Sequence, residues 1–313
     1  MIRFFEASRK RGGRRQCMYK NKIPFTLLLW LAALLIPVIP GTLFSQQNDL
    51  PPVEATQSPI PESQATPTES ISLKINLPAT RLDLYVNGKL EQSYPVAIGM
   101  PKYPTPIRDF AISHINWNPW WLPPDSPWAE GAEKTPPGPR NPLGPVKLIM
   151  ENGIRIHGTN APSSIGRAAS HACLRMRGDD IVELAWRIQQ AYSLKRDAEL
   201  KETYRKNRRS TYWVNLFETV PVSMSYTLVE RQGDKLLIHP DRYGRGGLEK
   251  ELQAVLADHP QISINKALLK KVKEARRKGT AEVSLAELTE WSQGEAPANG
   301  ITSAENQAGG PHL

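Results

Sequence analysis

Gly153-Ile154-Arg155-Ile156-His157-Gly158-Thr159 is followed closely by Ser170-His171-Ala172-Cys173-Leu174-Arg175-Met176. A thiol near its usual pKa of about 8.5 is mostly protonated at neutral pH, so a reactive one needs a base or a positive environment. Histidine, with an ordinary pKa of about 6.5, is that base. Of the six histidines, His157 and His171 lie within sixteen residues of Cys173. His171 is two residues away, where an extended segment puts both side chains on one face but makes a well-oriented contact awkward. His157 ends an expected strand, and Gly158 permits a sharp turn, so it can approach Cys173 from across a site. His157 is the expected base. His157, His171 and Cys173 also raise zinc, but no carboxylate lies between them and neither HExxH nor CxxC spacing occurs, so no metal and no cofactor is expected.

Working outward, the 313 residues carry a formal net charge of +9. Residues 1–22 hold eight basic side chains and one acid, which is +7, leaving +2 for the other 291. The basicity thus belongs to the N-terminus and argues against a nucleic-acid partner. The apolar run Ile23 to Phe44 follows, the pattern of an export signal or an uncleaved membrane anchor over 1–45. Export to the periplasm or cell envelope is expected, with membrane contact only through 23–44 if that run is retained. Cys17 precedes the apolar run, so Cys173 is then the one exported thiol, unable to form an internal disulfide.

Residues 46–70, rich in Gln, Pro, Ser and Thr, read as a linker. From Ile71 the apolar and polar residues alternate as in half-buried strands, with Asn87-Gly88 as a tight hairpin turn. Gln92 to Ile98 and Val146 to His157 read as further strands, the latter broken at Asn152-Gly153. Residues 101–145, dense in Pro, Gly and Trp, read as structured loops. Asp179 to Tyr192 has the stripe Ile181, Leu184, Ala185, Ile188 of a surface helix, with Asp179 or Asp180 expected to cap it. Val214 to Val229 returns to strand, Leu248 to Ala257 and Ile264 to Lys278 suit short helices, and the tail 294–313 reads as disordered.

The two opening stretches resemble the active-site signature of the YkuD-type L,D-transpeptidases. Arg81-Leu82-Asp83-Leu84-Tyr85, Tyr94-Pro95-Val96-Ala97-Ile98-Gly99, Thr105-Pro106 and Asn141-Pro142-Leu143-Gly144 extend the likeness in order from about Ile71 to Val222. His239-Pro240-Asp241 and Tyr243-Gly244-Arg245 point to the ErfK/YbiS branch. The resemblance implies a mainly β catalytic domain, sandwich- or barrel-like with one or two helices, over 71–222, and a small C-terminal strand and helical extension over 223–293. It also implies an enzyme of cell-wall biogenesis acting on peptidoglycan stem peptides. Cys173 would attack the carbonyl of the third-position diamino acid, expel the terminal D-residue, and pass the acyl group to an amine of a second stem or of a wall-attached surface protein. Carbapenems would acylate the same thiol.

By the same resemblance the Gly158 carbonyl orients His157. The N–H groups of Ala172 and Cys173, supported by His171, form the oxyanion hole, and Arg175, Ser170 and Thr159 bind substrate. Two departures stand out. Ala172 occupies a position where the family usually has glycine, and its added methyl is tolerated if the backbone there has negative φ; Thr105-Pro106-Ile107-Arg108 lacks the family's following glycine. Water in place of the amine would make a carboxypeptidase or hydrolase from the same residues. A degenerate wall-binding protein is the non-enzymatic alternative.

Overall fold

A computed structural model describes residues 66–293. The expected signal or anchor, the linker up to residue 65 and the tail lie outside the described residues. Ten strands belong to the first module: β1 (Ile71–Asn76), β2 (Arg81–Val86), β3 (Lys89–Pro95), β4 (Ile98–Gly99), β5 (Asp109–Trp117), β6 (Val146–Ile149), β7 (Arg155–His157), β8 (Ala168–Ser170), β9 (Leu174–Arg175) and β10 (Tyr212–Ser225). Eight form one sheet in the order β3-β2-β1-β10-β5-β6-β7-β9. Alternation drives it: in β1, Ile71, Leu73 and Ile75 are fully buried while Lys74 is exposed. Asn87 and Gly88, at φ 49° and 77°, make the expected hairpin turn between β2 and β3.

The sheet closes on itself. The chain leaves β3 at one edge and immediately pairs with β9 at the other, where Ala97 and Arg175 exchange N–H···O bonds of 2.8 and 2.9 Å. β4 then pairs with β8. This is the barrel-like β domain expected from sequence.

Helix α1 (Gly178–Tyr192) packs its buried Ile181, Leu184, Ala185 and Ile188 on β6 and β10, and α2 (Ala198–Lys206) follows. The α1 cap differs from expectation. Arg177 is the N-cap and makes no side-chain cap bond, while Asp179 and Asp180 lie in the first turn. There they complement the helix dipole instead. Residues 68–70 are not free linker: the Thr68 N–H donates to Ala191 O at 3.1 Å, and Glu69 pairs with Arg187.

β10 runs through the boundary expected at 222, because Val222 to Ser225 pair with Leu73 to Asn76 of β1. The extension beyond it also has more strand than expected. β11 (Val229–Gln232), β12 (Lys235–Ile238) and β13 (Ala281–Ser284) form an antiparallel sheet, covered by α3 (Leu248–Val255), α4 (Lys266–Ala275) and α5 (Leu285–Gln293). Its apolar core includes Leu228, Leu236, Ile238, Leu252, Leu268, Val272 and Leu288. Arg81 joins the modules by pairing with Glu230 at 2.9 Å. Among the described residues no helix is long and apolar enough to cross a membrane.

Candidate active site

The β6-β7-β9 edge of the sheet sets the site. Lys147 pairs with His157, and His157 with Arg175, so the three side chains stand in a row on one face. Arg155 occupies the same face two residues before His157. The opposite face carries Leu148, Ile156 and Leu174, all fully buried. Strand alternation therefore packs one side into the core and leaves a row of nitrogen bases and cations on the other.

Those side chains line a cavity of about 400 Å3 that also holds Cys173, Ser170 and His171, walled by Trp120, Trp121, Trp128 and Leu143. No Asp or Glu lines it. A second cavity of about 500 Å3, between α1, α2 and residues 138–145, contains neither Cys173 nor His157. Cys173 and His157 both line the smaller one, which makes it the candidate site. Thr159, expected to bind substrate, falls in the other cavity, where its Oγ1 accepts from the Ala161 N–H at 3.0 Å. Tyr94 is core, and Asn141 is fully buried, with its Nδ2 donating to three loop carbonyls.

His157 is 6% exposed, and its Nδ1 lies 2.6 Å from the Gly158 carbonyl oxygen. A carbonyl only accepts, so Nδ1 carries the proton and Nε2 is left as the base. Gly158 has room for no side chain. A Cβ there would come within 2.8 Å of Pro145 Cδ and 3.1 Å of Gly144 Cα. Burial, followed by the charges of Arg175, Lys147 and Arg155, lowers the His157 pKa to about 4 against the pull of the Gly158 bond. Burial raises the Cys173 thiol, offset in part by Arg155 and Arg175. The pair therefore rests as thiol and neutral imidazole. His171 stacks on Trp128 with centroids 3.9 Å apart and tilts against Tyr103 at 4.9 Å; burial, then Arg175 and Lys102, lowers its pKa. Two aromatic loops hold this ring.

The Cys173 loop is fixed from beneath. Ser170, 1% exposed, donates its hydroxyl to the Cys173 carbonyl. Thr105 Oγ1 donates to the Ala172 carbonyl at 2.8 Å and accepts from the Gly99 N–H at 2.8 Å. Ala172 stands at φ 75°, so the condition of negative φ for easy tolerance of its methyl is not met. This is a left-handed conformation that costs an L-residue roughly 1–2 kcal/mol and glycine little. Among the described residues neither the Ala172 nor the Cys173 N–H donates a hydrogen bond.

Sequence reasoning missed Lys147, Arg155 and the Thr105 contact. The sheet register that places Lys147 beside His157 has no local sequence signal. Among the described residues no group of three or more His, Cys, Asp or Glu side chains is placed to hold a metal.

Residues 70–192 match the family model described as the L,D-transpeptidase catalytic domain, YkuD. YkuD of Bacillus licheniformis is 33% identical over 127 residues, covering 40% of this chain and 65% of that protein. ErfK/SrfK of Escherichia coli K12 is 30% identical over 141 residues, covering 42% and 45%. The names of both assign them to the L,D-transpeptidases. The chain thus spans about half to two thirds of these relatives' length. The catalytic domain of an Enterococcus faecium L,D-transpeptidase aligns over 50% of this chain and 98% of its own, at TM-score 0.33 and 16% identity, too distant to support a residue-level comparison. Residues 70–192 of this chain are therefore similar to the YkuD-type L,D-transpeptidase catalytic domains.

Proposed function

We propose that the protein is an exported peptidoglycan L,D-transpeptidase whose nucleophile is Cys173. The observation that carries this is the tautomer lock on His157, which leaves Nε2 basic in the cleft that holds the only thiol among the described residues.

The Cys173 sulfur attacks the carbonyl carbon of the third residue of a donor stem while His157 Nε2 takes the thiol proton. The oxyanion that forms is met by the N–H groups of Cys173 and Ala172, which donate to nothing else among the described residues. As the tetrahedral centre collapses, the carbon–nitrogen bond breaks and the imidazolium returns its proton to the leaving amine of the terminal D-residue. An acceptor amine then attacks the thioester, loses a proton to His157, and expels the thiolate, which recovers that proton. The acceptor is a second stem or a wall-attached surface protein. Because the pair starts neutral, the imidazolium exists only while negative charge develops on sulfur and oxygen.

Arg175, Arg155 and Lys147 give the cleft three cations with no carboxylate in its lining. Among the described residues none of the three pairs with a carboxylate, and partly buried cations of that kind favour an anionic ligand. A stem with a free carboxylate on its third-position diamino acid supplies that charge. The test is to incubate the purified chain and Cys173→Ala with tetrapeptide muropeptides and read the products by mass spectrometry. Cross-linked dimers that require Cys173 support transfer. Trimmed monomers would reassign the chain to hydrolysis, and no product at all would remove the enzymatic reading.

A further inference from the structure

The Thr105 clamp on the nucleophile loop is itself held by a residue far outside the family-matched segment. Tyr243 belongs to the loop that follows β12 in the C-terminal module. Its hydroxyl donates to the Gly99 carbonyl at 3.0 Å and accepts from the Thr105 N–H at 3.1 Å. It therefore ties together the two residues that meet at the Thr105 hydroxyl. Gly99 leaves no slack on its side: a Cβ there would lie 2.3 Å from Tyr103 O and 2.6 Å from Thr105 N.

The Tyr243 loop is built to hold that hydroxyl in place. The Tyr243 N–H donates to the Tyr226 hydroxyl at 2.7 Å, and that hydroxyl donates to Asp241 at 2.6 Å. Asp241 also accepts the N–H groups of Arg245 and Gly246 at 2.9 and 2.8 Å. The Tyr226 and Tyr243 rings stack with centroids 5.4 Å apart. Arg242 of the same loop donates to the Gly166 carbonyl, just before β8, the strand that leads into the Cys173 loop.

Peptide planarity converts this chain of bonds into an aim. In a trans peptide the C=O and N–H point in opposite directions. The Ala172 carbonyl is drawn to Thr105, so the Cys173 N–H of the same peptide unit is directed away from Thr105. We propose that Tyr243 is a positioning residue for acyl transfer: through Thr105 it fixes the strained 172–173 peptide so that the Cys173 N–H is set to receive the developing oxyanion. The inference rests on the transpeptidase reading above, and it gives the C-terminal module a part in the reaction.

The test uses the full chain with Tyr243→Phe, which keeps the ring and removes the hydroxyl. Leaving a buried N–H without its partner predicts a fall in kcat of about tenfold with KM within about twofold. Alkylation of Cys173 by iodoacetamide develops no oxyanion and should stay within about twofold of wild type. Thr105→Val should fall at least as far as Tyr243→Phe, and the double variant no further than Thr105→Val alone. Thr105→Ser, which keeps the hydroxyl, should recover most of the rate. Amide exchange over 170–176 should rise in Tyr243→Phe while β10 is unchanged. Wild-type kcat and wild-type exchange in Tyr243→Phe would overturn the proposal, as would equal losses in acyl transfer and alkylation. If the wild-type chain transfers no acyl group, the functional reading fails by itself. Unchanged exchange over 170–176 in Tyr243→Phe would then still overturn the brace.

Discussion

Alkylating Cys173 with iodoacetamide between pH 5 and 10 reports directly on the resting charge of the Cys173–His157 pair. Burial, then Arg175, Lys147 and Arg155, takes His157 from its ordinary value to about 4. That is about 2.5 pH units below 6.5, or about 3 kcal/mol against the imidazolium at 1.36 kcal/mol per unit. At pH 7 about one His157 ring in a thousand is then charged. Burial also pushes the thiol upward, with Arg155 and Arg175 offsetting it in part, so Cys173 rests as the thiol at that pH. The alkylation rate should climb about tenfold per pH unit from pH 5 to pH 8, with no shelf below neutrality. Arg155→Met should shift the curve to higher pH, because Arg155 opposes the effect of burial on the thiol. The shift should be under about one unit, since burial dominates. A flat alkylation rate between pH 5 and 7, breaking only near 4, would mean a preformed thiolate–imidazolium pair and would refute the reasoning.

Further predictions concern the loop, stability and the cations. Ala172→Gly relieves the left-handed strain of about 1–2 kcal/mol but adds about 0.4–1 kcal/mol of unfolded-state entropy and removes a half-buried methyl. Its net effect in denaturant unfolding should lie between neutral and about 1 kcal/mol stabilising, whereas Ala172→Val, β-branched at φ 75°, should be clearly destabilised. His157 binds its proton near 6.5 when unfolded and near 4 when folded. The unfolded state holds more protons between those values, so stability falls as pH drops from 6.5 to 4. The non-titrating His157→Asn should lose less stability over that window. Arg175→Met should raise KM for stems with a free third-position carboxylate about tenfold or more while changing little for amidated stems, as competition kinetics would show.

Local signals in the sequence were faithful where the structure depends on local chemistry. The alternation in β1 and β2, the Asn87-Gly88 turn and the α1 stripe each follow from a short-range period. That Cys173, His157 and Ser170 share one cavity was legible because a thiol, a base and a loop hydroxyl occur close together in the chain. What escaped depends on long-range pairing. Lys147 reaches His157 only through the β6–β7 register, and Tyr243 reaches Thr105 across 138 residues. The sign of φ at Ala172 also lies outside local sequence, since Thr105 and Ser170 fix the peptides on either side of Cys173. The glycine that the family resemblance implies at this position was the one clue to it. The α1 cap was misplaced because Asp179 and Asp180 suit the first turn as well as the cap.

The central claim is that Cys173 carries the acyl group. Intact-protein mass spectrometry of the purified chain, quenched in acid seconds after mixing with a tetrapeptide muropeptide, tests it most directly. The account predicts a mass gain equal to the donor minus one free D-amino acid, located on Cys173, labile to hydroxylamine, and absent from Cys173→Ala. An adduct that persists in Cys173→Ala, or turnover by that variant, would contradict it.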